Sequence, residues 1–156
     1  MHETITHHRP PFVISTDRSR LDIGAVHRFL STCYWSPGIS RERVERAIEC
    51  SLCFGVYEVS AAPAGGPSQV GFARVVTDCA SFAYLCDVFV LESHRGRGLS
   101  KWLMDVIVSH RAVRGVRRFC LMTRDAHGLY AKYGFAPMPE PGRYMEILDR
   151  ESYKKP

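Results

Sequence analysis

No stretch of this sequence approaches the roughly 20 consecutive apolar residues that a bilayer-spanning helix needs, so no transmembrane helix is expected. The opening residues, MHETITHHRPP, lack the apolar core of a secretory signal, so a cytoplasmic protein with no membrane partner is expected. Acidic residues are in the minority: 16 Asp and Glu against 21 Lys and Arg give a formal charge of +5. That balance favours anionic partners. The basic residues are spread along the chain rather than massed in a tail, which argues against nucleic acid. Cysteine is present six times, but Cys50 and Cys53 form a lone C-x-x-C with no second pair and no histidines at zinc spacing. No metal site is therefore expected, and Cys33, Cys50, Cys53, Cys79, Cys86 and Cys120 read as free, mostly buried thiols. Two phosphate-binding patterns are also missing, the Walker loop G-x-x-x-x-G-K-[ST] and G-x-G-x-x-G.

What remains is an ordinary globular composition, 46% hydrophobic and 24% charged over 156 residues. The length fits one domain, taken as residues 1–156, with room for a core. "PFVIS" (11–15) reads as a strand. Ile23, Val26, Leu30 and Cys33 recur at helical steps within 19–33, with Ser19 as the expected N-cap. Pro37 and Gly38 break the chain, and Ser40 can cap a second helix over 41–50. Strands follow at 51–59 and 69–78, joined by a small-residue loop at 60–68, then a long apolar strand at 81–91. A helix over 98–112 with Gly115 as its C-terminal cap leads to a strand at 116–123. A short helix ends at Gly134, and "FAPMP" and "RYMEILD" are expected to finish as strands. The fold class is therefore mixed α/β. A mostly antiparallel sheet should contain one central parallel βαβ pair, with helices on both faces.

"SHRGRGLSKW" (93–102) lies at the carboxyl end of the first strand of that βαβ unit, where ligands usually sit. The first turn of the following helix presents unpaired N–H groups and the positive end of the dipole. Gly96 and Gly98 let a ligand approach the backbone, and Arg95 and Arg97 add charge. Together these suit a diphosphate held mainly by backbone amides.

"DVFVLESHRGRGLSKWLMDVIV" resembles the acetyl-CoA signature of the GNAT superfamily of N-acetyltransferases, a central strand followed by R/Q-x-x-G-x-G/A opening a helix. Arg95 and Gly98 fall on that pattern, and Ser100 stands where Gly or Ala is usual. "DAHGLYAKYGF" (125–135) resembles the family's A-x-x-x-Y-x-x-x-G-F segment through Ala126, Tyr130, Gly134 and Phe135. The likeness covers about residues 11–148.

The resemblance implies acetyl-CoA as co-substrate and direct attack by a primary amine in a ternary complex. It implies that the main chain of Val88, Phe89 and Val90 holds the pantetheine arm. Arg95, Gly96, Arg97, Gly98, Leu99 and Ser100 would hold the diphosphate, and Tyr130 would protonate the departing thiolate. Asp87, beside the implied acetyl position, is the candidate base, with His94 and His127 as alternatives. Tyr34 and Trp35, before the Pro-Gly turn, are candidate walls of the acceptor site, or else a cap on the core. A small-molecule amine is the expected acceptor. A protein lysine or N-terminal amine, a CoA-binding module without turnover, and a basic nucleic-acid binder are the alternatives. A homodimer is compatible with the family.

Overall fold

The computed structural model describes residues 3–59 and 66–153. Most of the expected 60–68 loop thus lies outside the described residues. One six-stranded sheet runs in sequence order through β1 (Thr6–Arg9), β2 (Phe12–Ser15), β3 (Leu52–Glu58), β4 (Ser68–Thr77), β5 (Phe82–Val90) and β6 (Arg118–Leu121). The first five strands pair antiparallel, and β5 and β6 are parallel. Among the described residues four α-helices accompany the sheet: α1 (Ile23–Leu30), α2 (Arg41–Glu49), α3 (Leu99–Ser109) and α4 (His127–Tyr130). The mixed α/β expectation and the parallel βαβ pair therefore hold, but the pair ends the described sheet rather than lying at its centre.

The faces follow from strand alternation. Leu52, Phe54 and Val56 of β3, with Ala73, Val75, Ala83 and Leu85, pack against Leu99, Leu103, Met104, Val106 and Ile107 of α3. Cys53, Phe72 and, past a register shift in β5, Phe89 pack on the other face against Val26, Leu30, Val44 and Ile48 of α1 and α2. Each fully buried Leu, Ile or Phe contributes roughly 1.5–3 kcal/mol. No helix among the described residues is long and apolar enough to cross a membrane.

Strand β1 was not foreseen, because THHR is polar and exposed and shows no apolar alternation. It is held by its ladder with β2 and by the Thr6 and Ser15 hydroxyls, 3.1 Å apart. The cap of α1 is Asp22, whose carboxylate accepts from the Ala25 N–H, and not Ser19, whose hydroxyl donates to Asp17. Ser40 does cap α2 through the Arg43 N–H.

Helix α3 ends at Ser109, earlier than residue 112, because His110 is extended and its Nδ1 and carbonyl gather the N–H groups of Ala112, Val113 and Arg114 into a turn. Gly115, at φ +96°, belongs to that turn and does not cap α3. Neither "FAPMP" nor "RYMEILD" forms a strand. Pro137, Pro139 and Pro141 have no N–H to give a ladder. Met145 and Ile147 stand fully in solvent, with 91% and 105% exposure.

Candidate active site

Strands β5 and β6 pair only from Phe82–Arg118 to Leu85–Leu121. Beyond that point β6 stops, while β5 runs on to Val90. The edge of β5 from Cys86 to Val90 therefore faces a gap rather than a neighbouring strand.

The other edge of the same stretch is irregular. Phe72 pairs with Phe89 and Arg74 with Cys86, so Asp87 and Val88 together oppose Ala73 alone. That is a β-bulge, a device that turns a strand and re-aims its side chains. Asp87 sits in it with φ +56°, a left-handed conformation that Asp tolerates better than most residues. Its carboxylate is fixed twice. Oδ2 accepts from Arg74 Nε at 2.8 Å, and Oδ1 accepts from Trp35 Nε1 at 3.3 Å. Arg74 also donates to the Ser51 hydroxyl at 3.1 Å.

The gap opens into a cavity of about 660 Å³. Asp87, Val88, Tyr130, Tyr34 and Trp35 all line it, so five of the sequence-derived candidates meet in one place. Tyr34 bridges the cavity: its hydroxyl accepts from the Arg124 N–H at 3.2 Å, and the Arg124 guanidinium lies 3.8 Å from its ring centre. Tyr130 comes from α4, which packs its ring edge-on against Phe135. Its hydroxyl has no hydrogen-bond partner among the described residues. Burial first, then Tyr34 and Asp125, push its pKa up to about 12. Phe89 and Val90 direct their side chains into the core on the two faces of the sheet, Phe89 stacking on Phe29 at 3.9 Å. The alternative bases stand elsewhere. Neither His94 nor His127 lines this cavity.

The 93–100 segment begins at the end of β5. Gly96 and Gly98 take φ +77° and +73°, so both occupy the left-handed region the sequence suggested. A side chain on Gly96 would meet nothing within 4 Å, and the one on Gly98 would meet only the Arg9 guanidinium at 3.6 Å. Helix α3 has no side-chain cap and no acidic residue in its first turn. Its leading N–H groups and dipole are therefore open to an anion. Leu99 is buried in the core and can offer only backbone, while Arg95 and Ser100 stand at the surface and half-buried respectively.

The arginines divide differently from the sequence expectation. Arg97 Nη1 donates to Glu58 at 3.0 Å, and Glu58 also holds His94 Nε2 at 3.0 Å. Those contacts, His94 first and then Arg97, hold the Glu58 carboxyl below the usual carboxylate range. Arg97 thus ties the loop to β3, and Arg9 from the β1–β2 hairpin stands at Gly98 and over the Trp102 ring. Sequence gave no sign of Glu58 or Arg9, which lie some 40 and 90 residues from the loop and belong to no local motif. No group of three or more His, Cys, Asp or Glu among the described residues is placed to hold a metal ion.

Residues 53–137, more than half of the chain, match the acetyltransferase (GNAT) domain. A crystal structure assigned to the GNAT acetyltransferases, from Xanthomonas campestris pv. campestris, is 50% identical. The match covers 95% of this chain and all of that one, with a TM-score of 0.85. A Gibberella zeae protein described as an acetyltransferase is 29% identical over 140 residues, 80% of this chain and 78% of its own. The fold is shared more distantly, at 14% identity and a TM-score of 0.58, with an acetyltransferase from Clostridium acetobutylicum solved with acetyl-CoA, over 95% of this chain and 96% of that one. It is shared also with glucosamine-6-phosphate N-acetyltransferase from Arabidopsis thaliana, at 17% identity and a TM-score of 0.57, over 88% of this chain and 97% of that one.

Proposed function

The chain belongs to the GNAT family of acetyltransferases, and from that premise we propose that it acetylates a primary amine of a small molecule with acetyl-CoA as donor. The observation that carries this reading is the unpaired Cys86–Val90 edge of β5, opening directly into the cavity that Tyr130, Asp87, Tyr34 and Trp35 share.

The residues fit the donor. The open backbone at Gly96 and Gly98 and the uncapped start of α3 form a cradle for a diphosphate. Arg9 and Arg95 supply cations there, while Arg97 keeps the loop in shape. The main chain of Val88, Phe89 and Val90 offers extended hydrogen-bonding groups to an amide-bearing arm. When bound, acetyl-CoA supplies an acetyl group already activated as a thioester.

The chain's own groups then have three tasks. The first is to receive the amine in neutral form. An alkylammonium with a pKa near ~10.4 costs roughly 4 to 5 kcal/mol to deprotonate at neutral pH. Asp87 borders the cavity, where its carboxylate can anchor the incoming ammonium and take that proton directly or through water. The second is to polarise the acetyl carbonyl, for which a backbone N–H at the bulge beside Val88 is the candidate.

The third task is to let sulfur leave. Nitrogen bonds to the acetyl carbon, the carbon–sulfur bond breaks, and sulfur keeps the electron pair. The Tyr130 O–H meets that charge. Complete transfer from a phenol near 12 to a thiolate of pKa ~8.5 is uphill by roughly 5 kcal/mol, so Tyr130 acts chiefly as a hydrogen-bond donor. The second proton lost by the amine ends on the sulfur, so the products are the amide and the free thiol.

A small amine is favoured over a peptide because residues 144–153 cross the cavity, with Tyr144, Glu146, Leu148 and Tyr153 among its lining. The test is thiol release from acetyl-CoA against amines, amino acids and peptides. Turnover confined to small amines supports the proposal, and turnover confined to peptides overturns it.

A further inference from the structure

The segment after Pro141 was expected to be a strand, and its geometry keeps the strand's period without its partner. Tyr144, Glu146 and Leu148 line the cavity, while Met145 and Ile147 face solvent. Its far end is tied to α2: Arg43 Nη1 donates to the Ser152 hydroxyl at 3.2 Å, and its guanidinium lies 5.7 Å from the Tyr153 ring centre. Residues 144–148 therefore give their even-numbered side chains to the cavity, and Tyr153 completes the strap.

The charges lining the cavity are unequal. Arg74 is bound to Asp87 at 2.8 Å. Arg124 stacks on Tyr34 and lies 3.8 Å from Asp125. Glu146 is left with no cationic partner among the described residues. Its one hydrogen bond comes from the Tyr144 hydroxyl at 3.4 Å. Around these stand six aromatic side chains, Tyr34, Trp35, Tyr84, Tyr130, Tyr144 and Tyr153. Aromatic faces attract cations, and two of these already carry guanidiniums, Tyr34 that of Arg124 and Tyr153 that of Arg43. Among the described lining residues Asp87, Asp125 and Glu146 outnumber Arg74 and Arg124, so the lining carries one net negative charge and each of its cations already has an acidic neighbour.

We infer that Glu146 is the acceptor-recognition residue, and that it selects a cationic amine on an uncharged stem against amines that carry a carboxylate or phosphate. The inference rests on the acetyltransferase reading above and names the class of acceptor for that same cavity. A carboxylate beside the amine would meet Glu146 with like charge and find no free guanidinium to answer it. The sugar phosphate named for the Arabidopsis thaliana relative would meet the same obstacle.

Isopentylamine and L-leucine test this, because they share the stem and the primary amine and differ by one carboxylate. Binding of each is measured by calorimetry, and acetylation by thiol release, in the wild type and in Glu146→Gln and Glu146→Asp. Isopentylamine should bind at least tenfold more tightly than leucine. Glu146→Gln should weaken isopentylamine about tenfold, leave leucine unchanged or improved, and leave acetyl-CoA affinity and melting temperature as they are. Glu146→Asp should recover part of the preference. Equal loss for both ligands, no loss for either, no binding of isopentylamine, or a wild-type preference for leucine would overturn the inference. Glu146-dependent binding without acetylation would uphold it while overturning the proposed reaction. Acetylation indifferent to Glu146 would do the reverse.

Discussion

Asp87 and Arg74 are joined across the β5 bulge, carboxylate to guanidinium at 2.8 Å, with side chains only 12% and 18% exposed. A pair this enclosed adds little net stability, because desolvation opposes the attraction, but breaking it strands the remaining charge. Asp87→Asn should therefore cost about 3 kcal/mol in urea unfolding, the low end for a buried pair. Asp87→Ala should cost a further ~1–2 kcal/mol, because Ala resists the left-handed backbone that Asn accepts. Equal stability of the two variants would show that the bulge relaxes and that φ carries no penalty.

The loop separates backbone from charge. Gly98→Val places a branched side chain at φ +73°, where the first amides of α3 should meet a diphosphate. Acetyl-CoA binding should fall by at least two orders of magnitude, with the far-ultraviolet spectrum kept. Arg97→Ala removes an ion pair whose partners are 49% and 32% exposed, and should weaken binding less than tenfold. A larger loss from the arginine change, in isothermal titration, would mean that charge dominates.

Glu58 holds two loop side chains at once, so Glu58→Gln should weaken acetyl-CoA more than Arg97→Ala does. The pH response follows from its lowered pKa. The contribution is complete above its ordinary value near 4.5 and is lost as pH falls through the lower folded value. Loop anchoring should therefore be flat from pH 5 to 7 and fail only in stronger acid. Titration of acetyl-CoA affinity from pH 7 to 4 checks this, and a break above pH 5 would contradict it.

Much of the fold was legible because its signals are local. The 93–102 glycines, the apolar run at 82–90 and the helical spacing of Leu99, Leu103 and Ile107 each lie within one element. The family resemblance pointed to Tyr130 and Val88, and both line the cavity. What was hidden depends on partners distant in sequence. Glu58 reaches the loop only because β3 lies under it, and Glu146 reaches the cavity only because Tyr153 and Ser152 are tied to α2. Alternation in "RYMEILD" pointed to a strand, yet it reports only that two faces differ, not that a neighbour exists to pair.

Tyr130→Phe removes one oxygen and leaves the ring against Phe135. Turnover should fall about 10²-fold, the lower end for acid assistance, with acetyl-CoA affinity unchanged. Burial keeps the phenol protonated well beyond its ordinary value, to about 12. The wild-type rate should therefore climb with the neutral-amine fraction through pH 7–10, with no descending limb from Tyr130 in that range. Steady-state kinetics decide. A downturn between pH 8 and 9 that vanishes in the Phe variant would contradict the raised pKa.

Thiol release from acetyl-CoA, followed together with formation of the N-acetylated product, tests the acetyl-transfer reading most directly. Release should require the amine, match product one to one, and show no burst when acetyl-CoA is mixed with protein alone. Tight acetyl-CoA binding with no amine-dependent release across the panel would contradict it, and would make this a CoA-binding module that keeps the cradle without the chemistry.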